Sequence, residues 1–318
     1  MKILFSADWH IKLGQKNVPT SWARARYNSF FNKLKELEET VDLHIIGGDI
    51  FDRVPTLDEL ELYFSFIKNV NIETIIYDGN HEATKKNSSF LSVLSDVSTN
   101  LNKKVRVITS TYEDSRGFSI LPYCELHKKD SIENLNSTLP LFTHVRGEIP
   151  PHVTPEVDLE RLSSFPIVFA GDLHAHSNSQ KNIVYPGSPM TTSFHRSKVS
   201  TGILRIDNWT PEWIELDMPQ LIRKTVDTTD DMIPGIIDHV IYELEGDMRD
   251  LAKVANTELL DKKVVKRNIE TSLVLDKSMT LAEELVEYLT YILEISDDKI
   301  PEIMDLFNTY GTPNISQN

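Results

Sequence analysis

The spacing of apolar residues switches between strand-like and helix-like patterns along the first hundred residues. Three short, almost continuous apolar runs are typical of buried β-strands: Ile3–Phe5, Leu43–Ile46 and Ile72–Tyr77. Between the first two, Thr20–Val41 carries apolar residues at helical spacing. A capping box, Thr56–Glu59, opens a second helix, and a weaker helical pattern lies around Ser88–Val97. This alternation predicts a layered α/β fold.

The middle of the chain is richer in strand-like runs. They predict the remaining strands of two sheets: Val105–Ile108, Phe118–Leu121, Leu139–Phe142, Ile167–Ala170, Ile183–Tyr185, Gly202–Ile206 and Trp213–Leu216. The polar segment His127–Ser137 interrupts this series and predicts a loop.

The composition changes near Pro219, and a small α/β unit is predicted from Lys224 to Asp276. Its clearest strands are Asp238–Glu245 and Lys263–Glu270, with a helix at Met248–Leu260 between them. The sequence therefore predicts three parts: residues 1–217 as the catalytic domain, 218–277 as a capping domain and 278–318 as a helical tail.

Two amphipathic helices are predicted in the tail. A Thr280–Glu283 capping box opens the first, and after a break at Ser296–Asp298 the second ends at Gly311. Their apolar stripes are Leu281, Leu285, Leu289 and Ile292, then Ile300, Ile303, Met304 and Phe307. The pattern is equally compatible with a helical hairpin packed on its own domain and with a docking surface for a partner.

The composition is that of a globular chain with an acidic excess. Among 318 residues, 33 lysines and arginines stand against 48 aspartates and glutamates, giving a net charge of −15. That sign counts against nucleic-acid binding, although basic residues cluster locally at Arg196 and Lys198 and at Lys262–Arg267. No apolar stretch is long enough for a membrane span or signal peptide. The single cysteine, Cys124, fits a reducing cytoplasm, where we expect the protein.

Short acidic and histidine motifs follow five of the strand-like runs. They are Asp8-Trp9-His10, Gly48-Asp49-Ile50-Phe51-Asp52, Gly79-Asn80-His81-Glu82, Thr143-His144 and Gly171-Asp172-Leu173-His174-Ala175-His176. Strand ends meet at one edge of an open α/β sheet, which is where such proteins build sites. Asp, His and Asn side chains suit Mn, Fe or Zn better than a thiolate site would. The series predicts a two-metal hydrolytic centre for a phosphate ester.

Each motif offers side chains with different uses. Asp49 could bridge two metals through its two carboxylate oxygens, and Asn80 offers a neutral amide oxygen. His81 lies beside Asn80 and is better placed to donate a proton to a leaving oxygen or a hydrogen bond to an oxyanion. The ligand candidates in the first four motifs are Asp8, His10, Asp49, Asn80 and His144.

The last motif can supply two ligands in either of two registers. Asp172 and His174 form one pair two residues apart, and His174 and His176 form the other. His174 is common to both registers.

The order of these motifs resembles that of the calcineurin-like metallophosphoesterase superfamily. Within it, the chain is most similar to the SbcD nucleases and to their phage and eukaryotic counterparts, the meiotic-recombination-eleven nucleases. The Tyr185-Pro186-Gly187-Ser188-Pro189 segment matches a signature of SbcD-like chains, and a cap and a helical tail follow the catalytic domain as in that branch. The resemblance implies two mixed β-sheets sandwiched by helices, a small α/β cap and a C-terminal helical hairpin.

The resemblance also implies roles for residues at matching positions. One metal would be held by Asp8, His10, Asp49 and His174, and the other by Asp49, Asn80, His144 and Asp172. His81 would be the catalytic histidine. The family usually has His where Asp172 stands, so the ungapped register places an aspartate there, and His176 is the alternative ligand. Asp52 stands where some members have a second histidine, and we include it as a catalytic candidate.

The function implied is that of a DNA nuclease subunit for end processing, recombination and repair. We expect two divalent metal ions, with Mn²⁺ preferred and Mg²⁺ as the alternative. The expected substrate is DNA with double-stranded ends, and single-stranded DNA is a second candidate. The implied partner is an SbcC-type, SMC-like ATPase, bound by a homodimer of this chain in a two-plus-two complex, with no membrane involved.

Two other interpretations compete with the nuclease hypothesis. The Asp49–Arg53 and Gly79–Glu82 segments are also similar to motifs of Ser/Thr protein phosphatases, in which an arginine at the Arg53 position holds the phosphate. A catalytically weak structural subunit of the ATPase complex is the third reading, supported by Asp172 alone. In the nuclease reading, Arg53 and Arg196 are the candidate DNA phosphate contacts.

Overall fold

The structure is a computed structural model that describes residues 1–85, 88–265, 279–293 and 295–310. By its internal contacts the chain divides into two units. The first comprises Met1–Glu245 with Val254–Lys263, and the second comprises Gly246–Lys253 with Val264–Asn318. Lys266, Arg267, Gly311 and most of the predicted strand Lys263–Glu270 lie outside the described residues.

Sixteen strands and seven helices are assigned within the described residues. The strands are β1 Lys2–Ser6, β2 Leu43–Gly47, β3 Glu73–Tyr77, β4 Ala83–Lys85, β5 Ser88–Ser89, β6 Val105–Ile108, β7 Tyr112–Asp114, β8 Phe118–Leu121, β9 Leu141–His144, β10 Val168–Gly171, β11 Ile183–Val184, β12 Gly202–Asp207, β13 Thr210–Glu215, β14 Leu221–Val226, β15 His239–Gly246 and β16 Leu260–Val265. The helices are α1 Thr20–Glu38, α2 Leu57–Asn69, α3 Leu91–Leu101, α4 Tyr123–Leu126, α5 Met248–Leu251, α6 Leu281–Tyr291 and α7 Ile300–Tyr310.

Two mixed sheets form the core of the first unit. The six-stranded sheet has the order β13-β12-β1-β2-β3-β6, in which β1, β2, β3 and β6 are parallel. The five-stranded sheet has the order β11-β10-β9-β8-β7, in which β8 to β11 are parallel. The antiparallel pairs are β12 with β1, β13 with β12, and β7 with β8. The predicted layered α/β fold with two sheets is confirmed.

Apolar side chains fill the space between the two sheets. Phe5 and Tyr77 of the first sheet belong to the same buried cluster as Phe118, Phe142 and Phe169 of the second. The side chains that alternate with these, such as Leu4, Ile46 and Ile76, pack with α1 and α2 in a second cluster. Strands buried on both faces explain why their sequences are continuous apolar runs.

Several predicted boundaries are wrong by two or more residues. The strand predicted at Leu139–Phe142 is β9, Leu141–His144, and the last one, predicted at Trp213–Leu216, is Thr210–Glu215. The helix predicted over Met248–Leu260 is limited to the single turn Met248–Leu251, which Asp247 caps. Good helix formers such as Ala252, Lys253 and Ala255 follow the turn, so propensity does not end the helix. Instead the chain turns into the third sheet, where the Tyr242 N–H donates to the carbonyl oxygen of Leu259 at 2.7 Å.

A third sheet, β14-β15-β16, follows the two-sheet core, with β14 and β15 parallel. Its buried side chains Ile222, Val240 and Tyr242 form a small cluster of their own. In the second unit, α6 and α7 contact each other, and the Thr280 capping box that opens α6 is present. None of the described helices combines the length and the apolar character needed to cross a membrane.

Candidate metal centre

The loops after β1 and β2 run side by side and present the first two motifs. Backbone N–H groups of Asp8 and His10 donate to the carbonyl oxygens of Gly48 and Asp49, at 3.1 and 2.9 Å. Asp8, His10 and Asp49 all have positive φ, at 57, 45 and 50°, a conformation that is uncommon for residues with a side chain. The paired loops hold this conformation and direct three polar side chains to one place.

Glu82 fixes the loop after β3 against the loop after β2. Its fully buried carboxylate accepts hydrogen bonds from the backbone N–H groups of Asp49, Phe51 and Gly79, each at 2.9 Å. Burial raises the pKa of Glu82 to about 7. The sequence motif contains this glutamate, but its spacing gave no reason to assign it a structural role.

Side chains from all five motifs converge at this edge of the sheets. Nε2 of His10 lies 3.0 Å from Nε2 of His174, and Nε2 of His144 lies 3.5 Å from Oδ2 of Asp49. Three sets of ligand atoms each lie within 4.8 Å of one another: Asp8, His10 and His174; His10, Asp49 and His81; Asp8, Asp49 and His144. Asp8, His10 and Asp49 each belong to two of these groups, which suits a centre for two adjacent ions.

The hydrogen-bonding pattern around Asn80 fits a cation. Its side-chain oxygen lies 2.9 Å from Nε2 of His144 and 3.0 and 3.2 Å from the two carboxylate oxygens of Asp49, so the Asn80 and Asp49 oxygens face each other as acceptors unless the amide is turned over. A divalent ion would satisfy the Asn80 oxygen and the Asp49 carboxylate together.

The electrostatics of the centre agree with that fit. Burial lowers the pKa of His10 to about 3, which keeps the ring neutral and able to donate a lone pair. Burial is the largest single influence on His144 and opposes its charge, but the carboxylates of Asp49, Asp8 and Asp172 together outweigh it and hold the His144 pKa well above its ordinary value. His144 and Asp49 therefore form a buried ion pair whose proton a metal ion would displace.

His81 is accessible, as is His174, whereas His10 and His144 are buried. Its Nδ1 lies 2.6 Å from the backbone carbonyl oxygen of Asp52, and Nε2 lies 3.9 Å from Oδ2 of Asp49. The side chain is 36% exposed, so a substrate can reach the ring. The Nδ1 contact fixes the tautomer and leaves Nε2 facing the centre.

Asp172 is shared between the centre and an arginine. Its carboxylate accepts two hydrogen bonds from Arg146, each at 3.2 Å, and its Oδ1 lies 4.0 Å from Nε2 of His144. Its backbone N–H donates to the carboxylate of Asp8. Sequence reasoning missed Arg146, although it lies only two residues after His144. An arginine held in this way orients the carboxylate and offsets part of the negative charge.

The two registers of the last motif have different surroundings. Nδ1 of His174 lies 3.2 Å from Oγ1 of Thr192 while Nε2 faces His10. His176 turns away, since its ring stacks on Trp213 at 5.4 Å and Nδ1 lies 2.6 Å from the carbonyl oxygen of Tyr185. The structure thus brings Asp172 and His174 to the centre and places His176 outside it.

The register is tested by a matched set of substitutions. Arg146→Ala removes a residue that only holds a ligand in place, so it should weaken Mn²⁺ binding and turnover by ~10–100-fold. Asp172→Ala removes the ligand itself and should weaken both by more than that. His176→Ala should leave both within a few-fold of the parent, as measured by calorimetry and by hydrolysis of a phosphodiester. Severe loss in His176→Ala with little loss in Asp172→Ala would establish the shifted register.

The Tyr185–Pro189 signature holds the last motif in place. Ser188 donates from its hydroxyl to the carbonyl oxygen of Asp8, and its backbone N–H donates to the carbonyl oxygen of His174. Gly187 has a φ of 77°, and an added Cβ would lie 2.9 Å from that same His174 oxygen. The signature therefore requires glycine because its turn packs directly on the segment that carries His174.

The remaining candidates lie around the centre. The Asp52 carboxylate pairs with Nζ of Lys12 at 2.8 Å and lies 3.9 Å from Nδ1 of His10. Arg53 pairs with the buried Glu59 at 3.2 Å. Arg196 binds Thr225 and Glu243 on the third sheet, so both arginines already have protein partners.

A series of buried hydrogen bonds holds the first motif, Asp8-Trp9-His10, in place. Nε1 of Trp9 donates to Oγ of Ser6 at 3.1 Å, and that oxygen lies 2.9 Å from Nε2 of His44. Nδ1 of His44 in turn lies 2.9 Å from Oε1 of Glu38. Trp9 also packs edge-on against Phe30 and holds Asp8 and His10 on either side of it in the sequence. These hydrogen bonds hold the Trp9 indole in place and thereby fix the loop that carries Asp8 and His10.

Comparison with known proteins decides the family. The family described as "Calcineurin-like phosphoesterase" matches residues 1–162, just over half of the 318 residues. The chain belongs to this family. Membership confirms the predicted resemblance and fold, and it makes the chain a metal-dependent phosphoesterase; the centre described above offers groups that could hold its divalent ions.

Two viral relatives of this calcineurin-like phosphoesterase are similar over most of its length. It is 41% identical over 320 aligned positions to "Probable exonuclease subunit 1" of Escherichia phage T5, covering 96% of this chain and 97% of that protein. It is 28% identical to "Putative phosphoesterase 244L" of Invertebrate iridescent virus 6, covering 71% and 82%. The crystal structure of TT1561 of Thermus thermophilus aligns with a TM-score of 0.44 at 10% identity over 67% of this chain and 98% of that one, too weak a match for any argument.

Proposed function

We propose that this phosphoesterase is the nuclease subunit of an SMC-like ATPase complex and hydrolyses DNA phosphodiesters. The observation that carries the proposal is the convergence of Asp49 with His10, His144 and Asn80 in a chain that is 41% identical, end to end, to a protein named an exonuclease subunit. DNA repair and recombination in the cytoplasm is the process that such a subunit serves.

Each residue at the centre has a proposed task. Asp8, His10, Asp49 and His174 would hold one divalent ion, and Asp49, Asn80, His144 and Asp172 the other. Two such ions would polarise the phosphoryl oxygens and supply a hydroxide nucleophile at neutral pH. Nε2 of His81 would hold a proton at the leaving sugar oxygen and pass it on as the P–O bond breaks. The mixed nitrogen and oxygen donors favour Mn²⁺ over Mg²⁺.

The substrate and metal are tested together. With Mn²⁺, the protein should degrade labelled duplex DNA and hydrolyse the diester bis-p-nitrophenyl phosphate faster than the monoester p-nitrophenyl phosphate. EDTA should abolish all three activities, and Mg²⁺ should restore them less well than Mn²⁺. Full activity in EDTA would contradict the proposed metal dependence. A preference for the monoester would instead support a phosphomonoesterase.

The tail is proposed to bind the ATPase. In the second unit Leu289 of α6 is buried, but Leu281 of α6 is 65% exposed and Leu306 of α7 is 56% exposed. Tyr288, Tyr291, Ile292 and Leu293 add further exposed apolar surface. Amphipathic helices with uncovered apolar faces commonly occupy a partner's groove.

A separate apolar surface in the first unit is proposed as the homodimer contact. Leu57 at the start of α2 is 84% exposed, and Val93 on α3 is 75% exposed. Val97 and Leu101 continue the α3 stripe at helical spacing. The contact would use α2 and α3 and leave the tail available to the ATPase.

The two surfaces predict reciprocal phenotypes. Leu281→Glu with Leu306→Glu should abolish co-purification with the ATPase while light scattering still reports a dimer. Leu57→Glu with Val93→Glu should give a monomer that still binds the ATPase. All four side chains are exposed, so the variants should melt near the parent temperature. Unchanged ATPase binding by the first pair would make the tail an ordinary part of the fold.

A further inference from the structure

A second concave site lies beside the metal centre. The cavity has a volume of about 580 Å³, within the range of small-molecule sites. It is formed by residues distant in sequence but all within the first unit. Its lining comes from the loop after β1, the segment after the Tyr185–Pro189 signature and the third sheet: Lys12, Gln15, Lys16, Asn17, Ser193, Phe194, Arg223, Asp261 and Lys262.

The charge of this lining opposes that of the chain. Four of its nine residues are cations and one is a carboxylate, whereas the whole chain carries −15. Asp261 is occupied, since it accepts from Nδ2 of Asn17 at 2.6 Å and from Arg223 at 2.9 Å. Lys16 is exposed and has no ion-pair partner among the residues that the structure describes. The cavity therefore favours an anionic ligand.

A buried glutamate gathers cations behind the cavity. Glu243 lies 2.7 Å from Nζ of Lys262, 2.5 Å from Arg196 and 3.7 Å from Arg223. Its side chain is only 4% exposed, whereas that of Lys262 is 55% exposed. One carboxylate thus holds three cations, and it leaves an excess of positive charge on the open side.

An aromatic ring completes the lining. Phe194 is partly exposed, and the guanidinium carbon of Arg223 lies 5.6 Å from its ring centroid. His239 lies 5.9 Å from Phe194 and 5.3 Å from Trp22, so aromatic side chains continue past the cavity. A basic surface interleaved with aromatic rings is the combination that binds unpaired nucleotides, through their phosphates and by base stacking.

Two contacts connect the cavity to the metal centre. Nζ of Lys12 binds the Asp52 carboxylate, and the carbonyl oxygen of Asp52 holds Nδ1 of His81. Gln15 donates to the carbonyl oxygen of Thr192, whose hydroxyl contacts His174. A ligand in the cavity would therefore be next to any phosphate bound at the metal centre.

We propose that this cavity binds one unpaired nucleotide of the DNA strand adjacent to the scissile phosphate. Its base would lie against Phe194, and its phosphate would lie near the ammonium groups of Lys16 and Lys262. The proposal rests on the proposed nuclease function and adds to it: the strand being cut leaves the duplex at the site, so the preferred substrate is a frayed or single-stranded end. It also explains how so acidic a chain could hold DNA.

The test separates base stacking from phosphate attraction in the full-length protein. Anisotropy of a fluorescein-labelled single-stranded octanucleotide in EDTA reports binding without cleavage. Phe194→Leu should weaken binding by about 5- to 150-fold, the range for loss of one base–aromatic stack, and Phe194→Tyr should restore it. The double variant with Lys16→Gln and Lys262→Gln should bind the octanucleotide more weakly. The slope of log K against log salt concentration should become shallower by about 0.7 for each lost phosphate contact. Lys103→Gln, which does not line the cavity, is the matched control.

Turnover of a small diester keeps the two proposals distinguishable. All cavity variants should hydrolyse bis-p-nitrophenyl phosphate with Mn²⁺ at the parent rate, because that substrate needs only the metal centre, while their KM for the octanucleotide rises. If Phe194→Leu and the double lysine variant bound the octanucleotide like the parent, the cavity proposal would be wrong. If the parent hydrolysed the small diester but not DNA, the nuclease proposal would fail, and the anisotropy series would still decide whether the cavity binds a nucleotide.

Discussion

Replacing His81 with Ala should lower turnover of DNA by ~10²–10⁴-fold while both metal ions remain bound. The reason is its placement: Nδ1 is held by the Asp52 carbonyl, Nε2 faces the centre, and the ring is open to solvent. His174 is also exposed, but its Nδ1 contacts the Thr192 hydroxyl, which can donate or accept, so its tautomer is not fixed. Single-turnover kinetics with Mn²⁺ and calorimetric titration of the metal would measure the two effects separately.

His81→Gln provides the control for this substitution. Glutamine keeps a polar group of similar reach but cannot transfer a proton, so it should be nearly as slow as alanine. A variant that lost a metal ion while cleavage persisted would show that His81 is a ligand rather than a proton donor. That alternative is concrete, because His81, His10 and Asp49 form one of the groups close enough to hold an ion.

Replacing Asp49 with Asn should have the largest effect of any single change at the centre. Its Oδ2 lies 3.5, 3.7 and 3.9 Å from ring nitrogens of His144, His10 and His81, so it is common to both proposed ion sites. Turnover should fall by at least ~10³-fold, the upper end for one lost electrostatic contact, and neither metal site should fill normally.

Asp52→Asn is the matched control for Asp49→Asn. Its carboxylate is close in the sequence but binds Lys12 and approaches only the outer nitrogen of His10. We expect a loss of about 10–100-fold through the orientation of His10, with near-normal metal stoichiometry. Equal losses in the two variants would contradict the bridging role of Asp49 and would support Asp52 as a catalytic residue.

Much of the site could be predicted because strands and ligands are adjacent in the sequence. A buried strand must be apolar, and the polar residues that follow it mark the edge of the sheet; this is why Asp8, Asp49, Asn80 and His144 could be found. The predicted helix Met248–Leu260 failed because a local pattern does not show that Leu259 pairs with a distant strand.

Contacts between distant segments could not be predicted. Arg146 meets Asp172, and Thr192 meets His174, only because β9, β10 and the Tyr185–Pro189 signature are brought together in three dimensions. The cavity is the extreme case: Lys16, Phe194 and Lys262 come from three separate parts of the chain. Each of these residues alone has the sequence properties of an ordinary surface position.

The buried chain through Ser6, His44 and Glu38 has a practical consequence for chemical labelling. Its two hydrogen-bond distances, both 2.9 Å, match those of a serine hydrolase's nucleophile, base and acid, so a search by distance alone would report a second active site. Yet all three side chains are buried, and Oγ of Ser6 is already occupied by the Trp9 indole. Fluorophosphonate probes should therefore leave the folded protein unlabelled, and opening the strand beneath Trp9 should not create reactivity, because it would separate Ser6 from its base His44.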